Sequence, residues 1–594
     1  MIRRDEKVKE IAADEFEIIV YKYNNGKIKN PDYMPVEKNF LIILLVSLII
    51  FIIGLQITPG LSPDSTRYIA FAEKIITNGP FYPLTIHSDP LESWATSVIP
   101  PLFEYFISGF LFLGFEKLTA GGMVSLLFLA LLPFPIFYLA KEVGNRTIGY
   151  LSILFFFTMA STWYIGTWVW TETTFIFFSV SALFFCVKYL KDNKPEYLIL
   201  CAFFCTFSCL TRWIGIVLVL SISVVLFYSY INYKKLSKTQ VISYLLISLL
   251  PVSILLLRNF IFKGKVYPYF GSMGNFLDIF IAPVSTIVID FVFPLLYIMP
   301  KLRPVSQISR HINYNQIAEA SYIIFNFDIF DGFYAVFLLV IVILFALLLY
   351  CIFKFLTNFQ LVKERLLDER RIFILPVIIY PLFYLLSLIF LKSIYPFDEL
   401  DTRLLIPLYP FLIILFFSLY YELVQSLPEA KKGQIQRLFL LFVVLFLVTQ
   451  AVASSGLLIQ QRDGKQFSSE EGKRFTKSQS FIFLEKNWNK SDPIFTNVRV
   501  YPMKYYLDSY FNENIYEING HFELVHNDGQ SQGNITEILN SSDKRKIFFV
   551  QTNKQDTIVE QLIKKPKDGQ PFIQCQKDEN YELWVSKQFE NFCS

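Results

Sequence analysis

Five charged side chains, Asp64, Glu172, Arg212, Arg258 and Arg403, each lie at or just beyond the end of an apolar run. Asp64 follows the turn-rich stretch Pro59-Gly60-Leu61-Ser62-Pro63 and leads into an amphipathic segment through Asn78. Glu172 follows Trp168-Val169-Trp170-Thr171. A carboxylate held beside a hydroxyl can take its proton as a general base, and guanidinium groups grip phosphate through paired, charge-assisted hydrogen bonds. Each residue also has a plainer use. Asp64 suits a helix N-cap, Glu172 suits a first helical turn, where the helix dipole favours an acid, and arginines at helix ends snorkel to the membrane surface. Two carboxylates and three guanidiniums converging on one face exceed what anchoring requires.

The elements that hold these residues are dictated by composition. The 594 residues are 54% hydrophobic and 18% aromatic, with 63 Phe, and the mean hydropathy is +0.44. Runs near 39 to 57, 122 to 140, 148 to 165, 171 to 189, 197 to 211, 212 to 231, 241 to 257, 332 to 357, 371 to 392, 404 to 424 and 437 to 457 approach the roughly 20 residues a helix needs to cross hydrocarbon. They are apolar on every face, so tilted barrel strands, which alternate, are excluded. With 100 to 118 and 276 to 299 read as interfacial or re-entrant helices, about eleven to thirteen crossings are expected. The expected fold is an all-α polytopic membrane domain over 39–460, preceded by a polar tail (1–38) and followed by a small α/β domain (461–594). Strand-like runs near 493–496, 546–551 and 582–585 alternate there with helical patterns near 476–486 and 557–564.

Orientation follows from charge. Loops 141–147, 188–196, 232–239, 354–371 and 425–437 hold 16 Lys/Arg in 55 residues, whereas 58–121, 162–170, 258–330 and 393–403 hold 10 in 157. The positive-inside rule puts the first set and the N-terminus in the cytoplasm, and an odd crossing number puts the C-terminal domain outside. The expected location is the plasma membrane, with membrane lipids as constant partners. A net charge of +4 from 54 basic and 50 acidic residues, without a separate basic patch, argues against nucleic acid.

Nucleotide, dinucleotide and zinc-hydrolase motifs are missing, and His87, His311, His521 and His526 lack ligand-like spacing, so no metal ligand is expected. Cys201, Cys205 and Cys209 share a helical face suited to small-residue packing. Cys575 and Cys593 can pair only if their domain faces an oxidising compartment.

The order of features resembles the polytopic GT-C glycosyltransferases, in the branch containing aminoarabinose transferases and protein O-mannosyltransferases. The matching pieces are Asp64-Ser65 with Tyr68, Pro100-Pro101-Leu102, Thr171-Glu172, Leu210-Thr211-Arg212, Leu257-Arg258-Asn259 with Gly264, and Arg403-Leu404-Leu405-Ile406-Pro407 with Tyr409-Pro410. The resemblance implies a polyprenyl-phosphate sugar as donor, a lipid, glycan or protein as acceptor, and no required cofactor, with a divalent metal left open. It assigns Asp64 as base and Glu172 to the acceptor or its proton. Arg258, Arg403 and Arg212 fall to the donor phosphate, and Tyr68 and Trp170 to stacking on a sugar. Where relatives carry a basic residue before the juxtamembrane proline, this chain has Ser97-Val98-Ile99, so the phosphate rests more on Arg258, with His87 as a substitute. A transporter or lipid flippase, which would place charge near mid-membrane, and a silent scaffold are the competing readings.

Overall fold

The computed structural model describes residues 32–85, 99–233, 236–263, 369–394, 402–426, 429–462 and 478–489, five positions between 283 and 291, and short strands and single residues elsewhere. His87 and the expected span 332–357 lie outside the described residues. Among the described residues eight helices are long and apolar enough to cross a membrane, and a ninth candidate is the bent pair Arg146–Thr158 and Ala160–Gly166. Helix Pro195–Thr211 is apolar but has only 17 residues. The first span, Lys38–Leu55, leaves Leu45, Leu48 and Ile52 exposed. A continuous apolar face of this kind suits hydrocarbon rather than water.

Helix Glu172–Asp192 sits at the centre of the bundle, with 15 of its 21 residues buried. It packs against Pro195–Thr211, Pro133–Val143 and Lys117–Leu131. Small residues allow the close approach: the Ser179 and Ser208 hydroxyls meet at 3.0 Å, and Cys186, Cys201, Cys205 and Cys209 are buried as free thiols.

The 68° bend after Thr158 frees backbone groups that cannot be left bare inside a membrane protein. Side chains take them up. Thr162 Oγ1 donates to the Phe156 carbonyl (2.6 Å), Trp163 Nε1 to that of Phe157 (2.8 Å) and Ser454 Oγ to that of Thr158 (2.5 Å). The Ala160 N–H donates to Gln450 Oε1 at 3.3 Å. The bend steers the chain into the loop before Glu172, where Gly60 and Trp168 form a bridge. The Gly60 N–H donates to the Thr167 carbonyl (2.8 Å) and the Val169 N–H to that of Gly60 (3.2 Å). Gly122 admits the first loop, since a Cβ there would lie 2.2 Å from Pro59 Cγ.

Helices alternate in direction, so Leu55, Glu172, Thr211 and Thr402 share one end of the bundle. At the other end Lys191 pairs with Glu142 at 3.0 Å and Lys188 with Asp192 at 2.9 Å.

The C-terminal region is the small α/β unit expected from its sequence. Seven strands run in the order Phe572–Lys577, Tyr581–Ser586, Ile547–Gln551, Ile494–Thr496, Ile515–Ile518, Glu523–Val525, Ser531–Asn534. Only the pairings of Ile494–Thr496 with its two neighbours are parallel. Helix Gln479–Asn487 packs on the first two strands. Cys575 is disulfide-bonded, and Cys593 lies outside the described residues. Before the first span, Glu15–Val20 pairs antiparallel with Asp32–Glu37.

Candidate active site

Helix Pro63–Asn78 begins at Ser62, not at Asp64. Ser62 Oγ accepts from the Ser65 N–H (3.1 Å) and Ser65 Oγ accepts from the Ser62 N–H (3.0 Å), closing a capping box. The N-cap reading of Asp64 is therefore corrected, because two serines satisfy the helix end and leave the aspartate free. The box is also keyed to the second loop: Ser65 Oγ donates to the Val169 carbonyl at 3.0 Å, and Trp170 Nε1 donates to Ser62 Oγ at 2.8 Å.

The freed carboxylate meets Arg403. Arg403 Nη1 lies 2.6 Å from Asp64 Oδ2, and its Nε lies 2.6 Å from Glu172 Oε1. One guanidinium thus ties together two loops and the start of a distant span. Arg212 Nη1 also bonds Glu172 Oε1 and donates to Thr171 Oγ1 at 3.3 Å. Glu172 is wholly buried, and its Oε2 has no hydrogen-bond partner. Asp64 retains 32% side-chain exposure. Asp64 is the accessible acid of the pair.

Burial alone would raise the Asp64 carboxyl, but Arg403, then Arg67, pull it down to about 2. Arg67 Nη1 stands 3.8 Å from Asp64 Oδ1, one turn along the same helix. Two carboxylates and the guanidiniums of Arg67, Arg212 and Arg403 leave one positive charge in excess.

The aromatic residues pack tightly around the charged cluster. Trp170 is stacked on Trp168 (4.8 Å, 17°) and carries Arg403 over its ring at 4.6 Å. Trp170 thereby helps to hold the arginine beside the two acids. Tyr68 is buried edge-on against Phe103 at 5.3 Å, and its hydroxyl is pushed above the ordinary value by burial and then by Asp64. Arg258 stands apart from the two acids: it donates to the Pro83 carbonyl, and its Nε to Asn259 Oδ1 at 3.1 Å.

Three residues escaped the sequence reading. Arg67 was visible in its three-residue spacing from Asp64. Asp290 had no local signal; it accepts from Thr402 Oγ1 at 3.0 Å. Glu104, in the first turn of Leu102–Phe112, is wholly buried, and neither carboxyl oxygen has a hydrogen-bond partner. Burial raises its carboxyl to about 8, against smaller pulls from its own backbone N–H dipole and from Arg67. Folded protein then holds a proton that unfolded protein has released above about 4.5, so stability falls as pH climbs through that interval. Glu104→Gln keeps the shape and removes the titration. Its gain in melting temperature should be larger at pH 8 than at pH 5, and equal gains would contradict the raised carboxyl.

The family model for dolichyl-phosphate-mannose-protein mannosyltransferases matches residues 98–257, a stretch that includes Glu104, Trp170, Glu172 and Arg212 but not Asp64 or Arg403. The chain is similar to the crystal structure of ArnT from Cupriavidus metallidurans in the apo state. Identity is 11%, the TM-score is 0.52, and the match covers 92% of this chain and 97% of that one. The structure of the same protein bound to undecaprenyl phosphate matches at 11% identity and a TM-score of 0.51, over the same shares. No curated protein sequence matches the chain. At this identity the likeness shows a shared fold, a polytopic bundle of membrane helices followed by a small C-terminal sheet.

Proposed function

We propose that the chain is a membrane glycosyltransferase that moves a sugar from a polyprenyl-phosphate donor to an acceptor hydroxyl, with inversion. The carrying observation is the bridge from Arg403 to Asp64 and Glu172, which places an accessible carboxylate beside an excess of guanidinium charge. The acceptor oxygen attacks the anomeric carbon, the bond from that carbon to the phosphate oxygen breaks, and the hydroxyl proton passes to Asp64. The departing phosphate gains a negative charge, which Arg403, Arg67 and Arg212 are placed to stabilise. Glu172, wholly buried, acts on the acceptor through the two arginines it holds, Arg403 and Arg212. Arg258, outside this cluster, falls to the lipid side of the phosphate. The resemblance to a protein whose structure holds undecaprenyl phosphate supports this donor class.

Purified protein incubated with radiolabelled polyprenyl-phosphate sugars and membrane extract should move label to an acceptor. Label that stays on every lipid donor overturns the reading.

The site is assigned to the extracytoplasmic face of the plasma membrane, which the Lys/Arg asymmetry of the loops supports. The C-terminal domain is assigned to the same face, a reading supported by the order of spans, since helix Glu429–Arg462 follows Tyr409–Ser426, which starts beside Arg403. A reporter active only in cytoplasm, fused after Ser594, should be silent. Activity from it would reverse the faces.

A further inference from the structure

We propose that Asp290 is a positioning residue of this site, the buried anchor that determines where Arg403 stands. Asp290 is 1% exposed. Its Oδ1 accepts from Thr402 Oγ1 at 3.0 Å, and its Oδ2 accepts from the Tyr409 hydroxyl. Thr402 immediately precedes Arg403, and Tyr409 opens helix Tyr409–Ser426 after the turn Ile406–Leu408. One carboxylate therefore clamps both ends of the short segment that carries the arginine.

The backbone of Asp290 is fixed in turn. Gln450 Nε2 donates to its carbonyl at 2.8 Å, while Gln450 Oε1 accepts from the Ala160 N–H at 3.3 Å. Ala160 begins the helix beyond the 68° bend, and that helix leads to Trp170 and Glu172. Asp290 thus joins the segment bearing Arg403 to the segment bearing the ring and the acid that Arg403 touches. Burying a carboxylate is unfavourable unless its oxygens are bonded, and bulk packing would be served as well by leucine. The arrangement fits a group kept to hold geometry, where a displacement near 1 Å at a reacting centre lowers rates by about 100-fold.

The inference rests on the transferase reading for its kinetic test and is independent of it for its thermal one. Asp290→Ala should lower kcat at saturating donor and acceptor by about 10- to 100-fold. Asp290→Asn, which keeps the shape and an acceptor oxygen, should retain most of the turnover. In an Arg403→Gln background Asp290→Ala should add little, because the group it positions has gone. A residue that only supports folding would lower the yield and melting temperature but leave kcat per folded molecule unchanged, and one acting on turnover independently would lower kcat by the same factor with and without Arg403. Either result overturns the proposal.

The same four proteins, melted in detergent, give a second cycle in which the two substitutions should be less than additive. If wild-type protein moves no sugar from any donor, the transferase reading fails and the thermal cycle alone decides: coupled losses support the anchor, and additive losses reject it. If Asp290→Ala does not fold, Thr402→Val and Tyr409→Phe each remove one clamp and carry the same tests.

Discussion

Asp64→Asn should fold normally and transfer sugar about 100-fold more slowly or worse, since the amide keeps the shape and lacks the basic oxygen. Folding is protected because Ser62 and Ser65 cap the helix without help from Asp64. The lost pair joins an aspartate 32% exposed to an arginine 18% exposed, and Arg403 keeps its bond to Glu172, so the loss should lower the melting temperature without preventing folding. The measurement is turnover with both substrates saturating, beside a melting curve. Glu172→Gln separates the two acids: an orienting residue should mainly weaken use of the acceptor, whereas a second base would abolish turnover. Near-normal transfer by Asp64→Asn would remove Asp64 as the base and return the role to Glu172 or Glu92, the latter outside the described residues.

The convergence of Asp64, Glu172, Arg212 and Arg403 was legible in the sequence because each sits at the end of an apolar run and consecutive spans reverse direction. Periodicity could place them on one face but could not pair them. The bond from Arg403 to Asp64 joins positions 339 residues apart, and nothing local encodes it. Arg258 illustrates the limit, since it satisfies the same positional argument and yet bonds Pro83 and Asn259. Trp170 is a related case. An aromatic beside an acid at a membrane surface reads as a sugar platform, and nothing local encodes its contacts with Trp168 and Arg403. Asp290 and Glu104 were passed over because an acid inside or beside an apolar stretch reads as an interruption of a span until its neighbours are known. Three of the C-terminal strands, Ile494–Thr496, Ile547–Gln551 and Tyr581–Ser586, were legible because short apolar runs bounded by polar residues mark them, whereas Ile515–Ile518, Glu523–Val525, Ser531–Asn534 and Phe572–Lys577 lack that contrast.

Arg403→Gln should be the most damaging single change, and for two separable reasons. Glu172 is wholly buried, and removing one partner of a buried pair commonly destabilises by about 3 to 5 kcal/mol. Arg212 still bonds the same oxygen, so the loss should fall at or below the lower end of that range, visible as a fall in melting temperature. The second effect concerns the reaction. While Arg403 sits on Asp64, the carboxyl is held at about 2, ionised at every working pH but a weak base. A donor phosphate that draws the guanidinium away would raise the basicity of Asp64 only when the donor is in place. Arg403→Gln removes that control and the largest pull on the carboxyl, leaving Arg67 and Arg212 to oppose burial, so the acid limb should move to higher pH than in the wild-type profile. Residual kcat/KM measured against pH would show it. Arg403→Lys sharpens the test, because an ammonium keeps the charge but lacks the fork that reaches both acids at once. It should restore part of the melting temperature and little of the turnover, whereas full restoration by Lys would mean that charge alone, rather than the bridge between the two carboxylates, is what the site requires.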